Sequence, residues 1–245
     1  MNIRPYIILN GISSLTIKGL LVTDLPPITK PLVRTQVDVI DGRDGDIVTK
    51  LGYSAYDKPV KVGLTENFLI DDIIDFFNSE GVVTFSNEPE KYYRYAIYDQ
   101  IDFERLLRFK TAEINLHVQP FKYALAESVR VFNFEYPEEV EELEGSFNIR
   151  NNGNYFSRPI ISITGSGTVN LYLNGAQVLV IELGETSQTI TIDAEAMNAY
   201  YSDNTLANRA ITGNYDNIML KQGKNEISYS GNVTQITIYK FSRWV

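Results

Sequence analysis

The chain has 245 residues, with no cysteine, one histidine, one tryptophan and three methionines. Without cysteine there is no disulfide, no thiolate nucleophile and no cysteine-ligated zinc. One histidine, His117, supports neither a Ser/His/Asp grouping nor a multi-histidine metal site. No apolar run approaches the roughly 18 residues of a membrane-spanning helix. The start, Met1-Asn2-Ile3-Arg4-Pro5-Tyr6, lacks the apolar core and small-residue cleavage site of a signal peptide. The expectation is a chain made and folded in a cytoplasm, with no membrane partner. Positive charge is short as well: 22 Lys and Arg against 31 Asp and Glu leave a net charge of −9. A sequence-reading DNA binder normally shows a basic face. An acidic surface favours solubility, and it also suits a wall that a phosphate backbone slides past without sticking.

What is present is enough apolar material for a sizeable core, 44 % of residues with 12 % aromatic, in a length that allows one large β domain or two ordinary ones. The local centre of the first half is Ile40-Asp41-Gly42-Arg43-Asp44-Gly45-Asp46. Two Asp-Gly corners supply the positive-φ positions of a tight reversal, with a guanidinium at the tip. Before it, Val33 to Val39 alternates, with Val37 and Val39 on one face and Gln36 and Asp38 on the other. Further strands are expected at Tyr6–Gly11, Leu15–Lys18, Leu20–Val22, Val60–Leu64, Gly81–Ser86, Tyr92–Tyr98 and Phe109–Val118, with breaks at Asn10-Gly11, Gly19 and Pro26-Pro27. One helix is expected, from about Asn67 as N-cap to Glu80 before Gly81. Its apolar stripe is Ile70, Ile73, Ile74 and Phe77, and Asp71, Asp72 and Asp75 take the solvent side.

Tyr136 to Gly145 is an acidic block opened by proline and closed by glycine, which reads as a connector or an exposed edge. A domain boundary is therefore expected near residues 125–137, giving domains 1–130 and 131–245. The second half is strand after strand: Ser146–Ile149, Pro159–Thr164, Val169–Leu173, Gln177–Ile181, Gln188–Asp193, Gly223–Ile227 and Val233–Tyr239. Turns every eight to twelve residues are the spacing of a β-sandwich, and Asn174-Gly175 marks a hairpin. Ala194 to Asn208 breaks the rhythm and reads as a loop with one helical turn. The fold class is mainly β.

Chemistry-bearing patterns are few. The Asp41–Asp46 cluster has calcium-loop residues, but Arg43 stands among the ligand positions and no glutamate follows at the required distance, so it reads as a turn. Glu138-Glu139 and Glu141-Glu142 have no aromatic neighbours to raise a pKa, and read as a solvated edge rather than a glycosidase pair. His117 falls on the polar side of an alternating strand, a surface or interface position. Gly165-Ser166-Gly167 opens no helix and reads as a turn, not a phosphate cradle. No catalytic residue, metal or cofactor is expected. Carbohydrate binding is the rival function for the second half: Tyr200, Tyr201, Asn204, Asn208 and Arg209, or Asn154, Tyr155 and Arg158, combine rings with amide and guanidinium groups.

Several motifs in order resemble one family: Leu9-Asn10-Gly11, Gly19 to Pro27, Asp41 to Gly45, Leu51-Gly52-Tyr53, the Phe68 to Phe77 helix, Lys91-Tyr92-Tyr93 and Gln119-Pro120-Phe121-Lys122-Tyr123. Together they resemble the distal tail protein (Dit) of long-tailed phages, over essentially the whole chain. The resemblance implies an N-terminal β-rich domain with one helix that closes a hexameric ring around the DNA channel. It also implies a C-terminal galectin-like β-sandwich, whose last strand, Tyr239 to Val245, returns to the N-terminal domain in some members. The implied role is a structural hub of the tail tip or baseplate, assembled in the host cytoplasm and carried in the virion. Its implied partners are the major tail tube protein, the tape-measure protein and receptor-binding baseplate proteins, with DNA passing unbound. The chain lacks the long insertions that carry extra sugar-binding modules in some members, so direct host binding is less expected. Ring closure needs two complementary patches per subunit. The candidates are Asp41, Arg43 and Asp44 at the hairpin tip and the aromatic, basic run Tyr92, Tyr93, Arg94 and Tyr95. At the tip, Arg43 has two open readings, a bidentate pair with a neighbour's carboxylate or a pair within its own hairpin.

Overall fold

A computed structural model describes residues 4–134 and 144–245. Most of the acidic block, including Glu138, Glu139, Glu141 and Glu142, lies outside the described residues. The chain divides into two compact units, Met1–Leu125 with Val245, and Ala126–Trp244.

The first unit runs β1 (Ile7–Leu9), β2 (Ile12–Ser13), β3 (Leu20–Asp24), β4 (Val33–Val39), β5 (Asp46–Tyr53), β6 (Tyr56–Leu64), α1 (Ile70–Phe77), β7 (Gly81–Phe85), β8 (Lys91–Ala96), α2 (Phe103–Phe109) and β9 (Thr111–Ala124). Its main sheet is antiparallel in the order β2-β1-β7-β8-β9-β6-β3. Alternate residues of each strand point inward: Ile7 and Leu9, Val83 and Phe85, Ile114, Leu116 and Val118, Val60 and Val62 are all buried. Onto that face α1 lays Ile73, Phe76 and Phe77, and α2 lays Leu106. Helix α1 is shorter than expected: its N-cap is Leu69, with no side-chain cap, and it ends at Phe77. Gly81 begins the next strand, its φ of +141° leaving room for the Asn10 amide.

Two expectations are corrected here. Leu15–Lys18 forms turns and not a strand. Helix α2 was absent from the sequence reading, which placed a strand from Phe109. Asp102 caps α2 by accepting the Arg105 N–H at 2.8 Å, and Lys110 in the left-handed region ends it. The two prolines inside strands sit where no ladder N–H is required. At Pro59 the β3 partner has not yet begun, so β6 is an edge there. Gln119, Pro120 and Phe121 all fall opposite Arg94, a bulge between the pairs Tyr95–Val118 and Tyr93–Lys122.

The second unit contains β10 (Arg130–Asn133), β11 (Glu144–Asn151), β12 (Ile160–Leu173), β13 (Ala176–Glu182), β14 (Gln188–Asp193), β15 (Asn198–Tyr201), β16 (Ile211–Gly213) and β17 (Gly223–Tyr239). β12 and β17 pair along most of their length. The first half of β12 also carries β14, which carries β15, while the second half carries β13 and then β16. The two ends of β17 carry β11 and β10. A sheet bent this way closes over one core, with Ile161, Ile163, Val169, Leu171, Ile190, Ile236 and Ile238 inside, and makes a two-layer sandwich.

The bend overturns one reading. Gly165-Ser166-Gly167 is not a turn between strands but the corner of one continuous strand. A Cβ on Gly165 would lie 2.0 Å from the Asn232 carbonyl oxygen, and one on Gly231, at φ +110°, would lie 2.3 Å from that of Thr168. Backbone passes so close to backbone there that only hydrogen fits. The Asn174-Gly175 hairpin forms as expected, with φ of +52° and +81° between Leu173 and Ala176. The stretch read as a loop from Ala194 to Asn208 contains β15, reached through a turn with Met197 at φ +54°.

Candidate subunit interface

β4 and β5 form a two-stranded sheet of their own. The hairpin is as expected, with Val39 opposite Asp46 and positive φ at both Gly42 and Gly45. The Arg43 N–H donates to the Ile40 carbonyl at 3.1 Å and closes the tip. Asp41, Arg43 and Asp44 are exposed. Among the described residues Arg43 makes no ion pair, so the pairing within its own hairpin is not formed. The alternation also leaves Val37, Val39 and Val48 on one face, at 51 %, 74 % and 60 % exposure. Ile28 and Leu32 on the approach, with Ile40 and Leu51, are exposed too. This clustering of aliphatic surface on one thin ribbon distinguishes it from scattered apolar residues, which need no explanation.

The second candidate patch is smaller than the sequence suggested. Strand β8 alternates, so it offers only every second side chain to one face. Tyr93 and Tyr95 are buried, at 1 % and 4 % exposure. The Tyr93 hydroxyl donates to Glu88 Oε2 at 2.7 Å, and that of Tyr95 shares a 2.6 Å hydrogen bond with Ser79. These two tyrosines hold their own chain together. Tyr92 and Arg94 remain outside: Tyr92 stacks on Tyr123 at 5.4 Å between ring centres, and the Arg94 guanidinium lies 5.1 Å from the Tyr123 ring.

Beneath β8 lies a charged cluster that the sequence reading missed. Lys58 is 2 % exposed. Its Nζ donates to the Pro27 carbonyl at 2.9 Å and sits 5.0 Å from the Tyr93 ring and 5.5 Å from those of Tyr56 and Phe85. Glu88 receives Lys122 Nζ at 2.5 Å and stands 3.9 Å from Lys91. Burial pushes the Lys58 ammonium down, Glu88 opposes this and Lys122 adds to it, leaving a pKa of about 8. Burial alone would raise the Glu88 carboxyl. Hydrogen bonds from Lys122 and Tyr93, with the charges of Lys122 and Lys91, outweigh it and hold Glu88 below the usual carboxylate value. Burial, then the Glu88 contact, raises Tyr93 far above an ordinary phenol. The signal was present in the sequence: Lys58 shares the inward parity of Tyr56, Val60 and Val62.

The saccharide candidates Tyr200 and Tyr201 lie on opposite faces of β15. Tyr200 pairs with Thr191 on the outer face, whereas Tyr201 pairs with Ile190 and packs on the core. Asn204 occupies a turn at φ +64°, and Arg209 lies in a separate 3-10 turn, Asn208–Ala210. Asn208 is held by the Ala199 N–H and by Asn198. Arg158 is taken by Asp216 at 2.7 Å and by the Ala194 carbonyl. His117 sits on the polar side of β9 as expected, 2.7 Å from Asp57. Among the described residues no group of three or more His, Asp or Glu is placed to hold a metal ion, and no helix is long and apolar enough to cross a membrane.

No family model matches the chain, and no curated protein sequence matches it. Solved structures do. The chain is similar to Dit (gp 19.1) of phage SPP1, described as a paradigm of the hub adsorption apparatus in phages infecting Gram-positive hosts. The TM-score is 0.63 at 16 % identity, over 96 % of this chain and 97 % of that one. Two structures of the phage P2 baseplate in its activated conformation overlap over similar lengths at 11 % identity. The one with Ca has a TM-score of 0.47 and the one with Sr 0.43. The SPP1 likeness establishes a Dit-like, β-rich fold across nearly the full chain.

Proposed function

We propose that this chain is a structural hub of a long-tailed phage baseplate, not an enzyme. Six copies close a ring between the tail tube and the adsorption apparatus, with an N-terminal ring-forming domain and a C-terminal galectin-like sandwich. The observation that carries the reading is the β4–β5 ribbon. A two-stranded hairpin by itself is marginal in water, and this one exposes three valines on one face. Such a face gains by being covered, at about 25 cal/mol for each Å² of apolar surface. In a ring of head-to-tail copies the ribbon and tip of one subunit supply one patch, and Tyr92 and Arg94 of the next supply part of the other. The tip offers a guanidinium that makes no ion pair among the described residues, flanked in sequence by two aspartates and suited to a bidentate pair across the contact. The Dit-like fold supports the reading, and the net charge of −9 suits a channel that DNA crosses without binding. Tail tube, tape-measure and receptor-binding baseplate proteins are the proposed neighbours, the virion tail tip the location, and the host cytoplasm the place of assembly.

Light scattering over a concentration range tests it. Six copies of 27.8 kDa give about 167 kDa, or twice that for a double ring. A monomer at all concentrations, unchanged by adding the tail tube protein, would count against the hub.

A second reading, saccharide binding by the C-terminal unit, rests on a different place from the one the sequence suggested. A shallow trough of about 370 Å³ on the sandwich is lined by Gly145, Ser146, Tyr172, Gly175, Ser228, Tyr229 and Ser230. Its lining is uncharged, with hydroxyls beside a tyrosine ring, a surface suited to a neutral sugar rather than an anionic polymer. A glycan array separates the two readings.

A further inference from the structure

Lys58 is an expensive residue for its position. A cation buried in a β core is normally neutralised by a carboxylate, yet among the described residues no carboxylate lies within ion-pair distance of Lys58. Glu88, the acid of the cluster, binds Lys122 and receives the Tyr93 hydroxyl. The Lys58 ammonium is spent instead on one backbone oxygen, that of Pro27. The preceding carbonyl, Pro26, accepts from Asn87 Nδ2 at 3.2 Å. Consecutive prolines have no N–H to give a ladder, so side chains are what tether this stretch. A few residues later the Leu32 carbonyl accepts from the Ser54 N–H, where the ribbon begins and ends. The tethers therefore hold the root of β4–β5. They hold it to the underside of β8, because Lys58 packs on Tyr93 and Asn87 and Glu88 lie in the turn leading into that strand.

We propose that Lys58 is a positioning residue for assembly, the latch that fixes the 25–32 strap and the ribbon root to β8, so that the two surfaces meeting neighbouring copies are held at one angle within the subunit. Its purpose rests on the ring reading; the latch itself does not. Head-to-tail contacts close only when the rotation between a subunit's two patches is fixed, and a loose angle gives open or mixed assemblies. The charge has a purpose in this arrangement, since a charge-assisted bond to a carbonyl is roughly twice as strong as a neutral one.

Hydrogen exchange by mass spectrometry on the full chain and on Lys58→Met tests the latch, with light scattering on the same samples. The expected result is exchange roughly tenfold faster at the Ser54 amide, which bonds the Leu32 carbonyl, and along the ribbon, with the sandwich unit unchanged. Assemblies of the variant should be broader in mass than those of the parent. Unchanged exchange at Ser54 and along the ribbon overturns the latch whatever the assemblies do. If the parent is itself monomeric and stays so when the tail tube protein is added, the ring reading fails while the exchange result still decides the latch. Should Lys58→Met exchange fast everywhere, exposed Asn87→Ala decides in its place: a loss of protection confined to Ser54 and the ribbon supports the latch, and no change overturns it.

Discussion

Val37 and Val48 stand directly opposite each other across the β4–β5 ribbon, and each is more than half exposed. In an isolated antiparallel pair such a contact stabilises by a few tenths of a kcal/mol to about 1 kcal/mol, far less than burial of both side chains under a partner. The double substitution Val37→Thr, Val48→Thr should change monomer stability by no more than about 0.5 kcal/mol. It should weaken association at least tenfold (about 1.4 kcal/mol). Urea unfolding and light scattering on the same preparation check both halves.

Arg43 makes no ion pair in its own chain among the described residues, and lies at an exposed tip. Arg43→Ala should leave the melting temperature of the monomer within about 1 °C while lowering the mass of the assembly. A variant that melts earlier yet assembles normally would remove the tip from the contact.

Lys58 titrates at about 8 in the folded chain against 10.5 for an ordinary lysine. Above pH 8 the folded state has released a proton that the unfolded state keeps, so stability rises with pH through this window; below pH 8 the full cost of the buried charge is present. The parent should gain about 2 kcal/mol relative to Lys58→Met between pH 7.5 and 9.5. The comparison with the variant matters. The raised phenols of Tyr56, Tyr93 and Tyr95 act oppositely above pH 10, where unfolded tyrosines ionise first. Denaturant midpoints across that range give the measurement, and parallel curves would refute the assignment.

Gly231→Ala should destabilise the sandwich by about 3 kcal/mol or more, because the new Cβ meets the Thr168 carbonyl at 2.3 Å in a strand that cannot retreat without breaking β12–β17 pairing. Calorimetry should show the transition of the sandwich unit moving down while that of the first unit stays in place.

Local chemistry was legible where a single short stretch settles the conformation. The corners at Gly42, Gly45 and Gly175 need positive φ, and Asp-Gly and Asn-Gly announce it. Helix α1 announces itself by its stripe, with Ile73 and Phe77 buried and the three aspartates outside. Helix α2 did not, since seven residues rich in Phe and Leu read equally well as a strand. Its one clear signal was Asp102 three residues before Arg105.

The sequence by itself determined a mainly β chain, its two clearest hairpins, and which residues of each strand share a face, because these depend on neighbours within a few bonds. The tertiary structure decided which face is inside. It put Tyr93 and Tyr95 in the core and left Tyr92 and Arg94 out. It left the valine face of the ribbon uncovered, and turned Gly165 from an apparent turn into the corner where β12 and β17 pass, with Gly231 opposite. It also set Lys58 against the Pro27 carbonyl. Each of these depends on what another part of the chain brings within a few ångströms. Alternation fixes the parity of a strand, and only the packing partner fixes its sign.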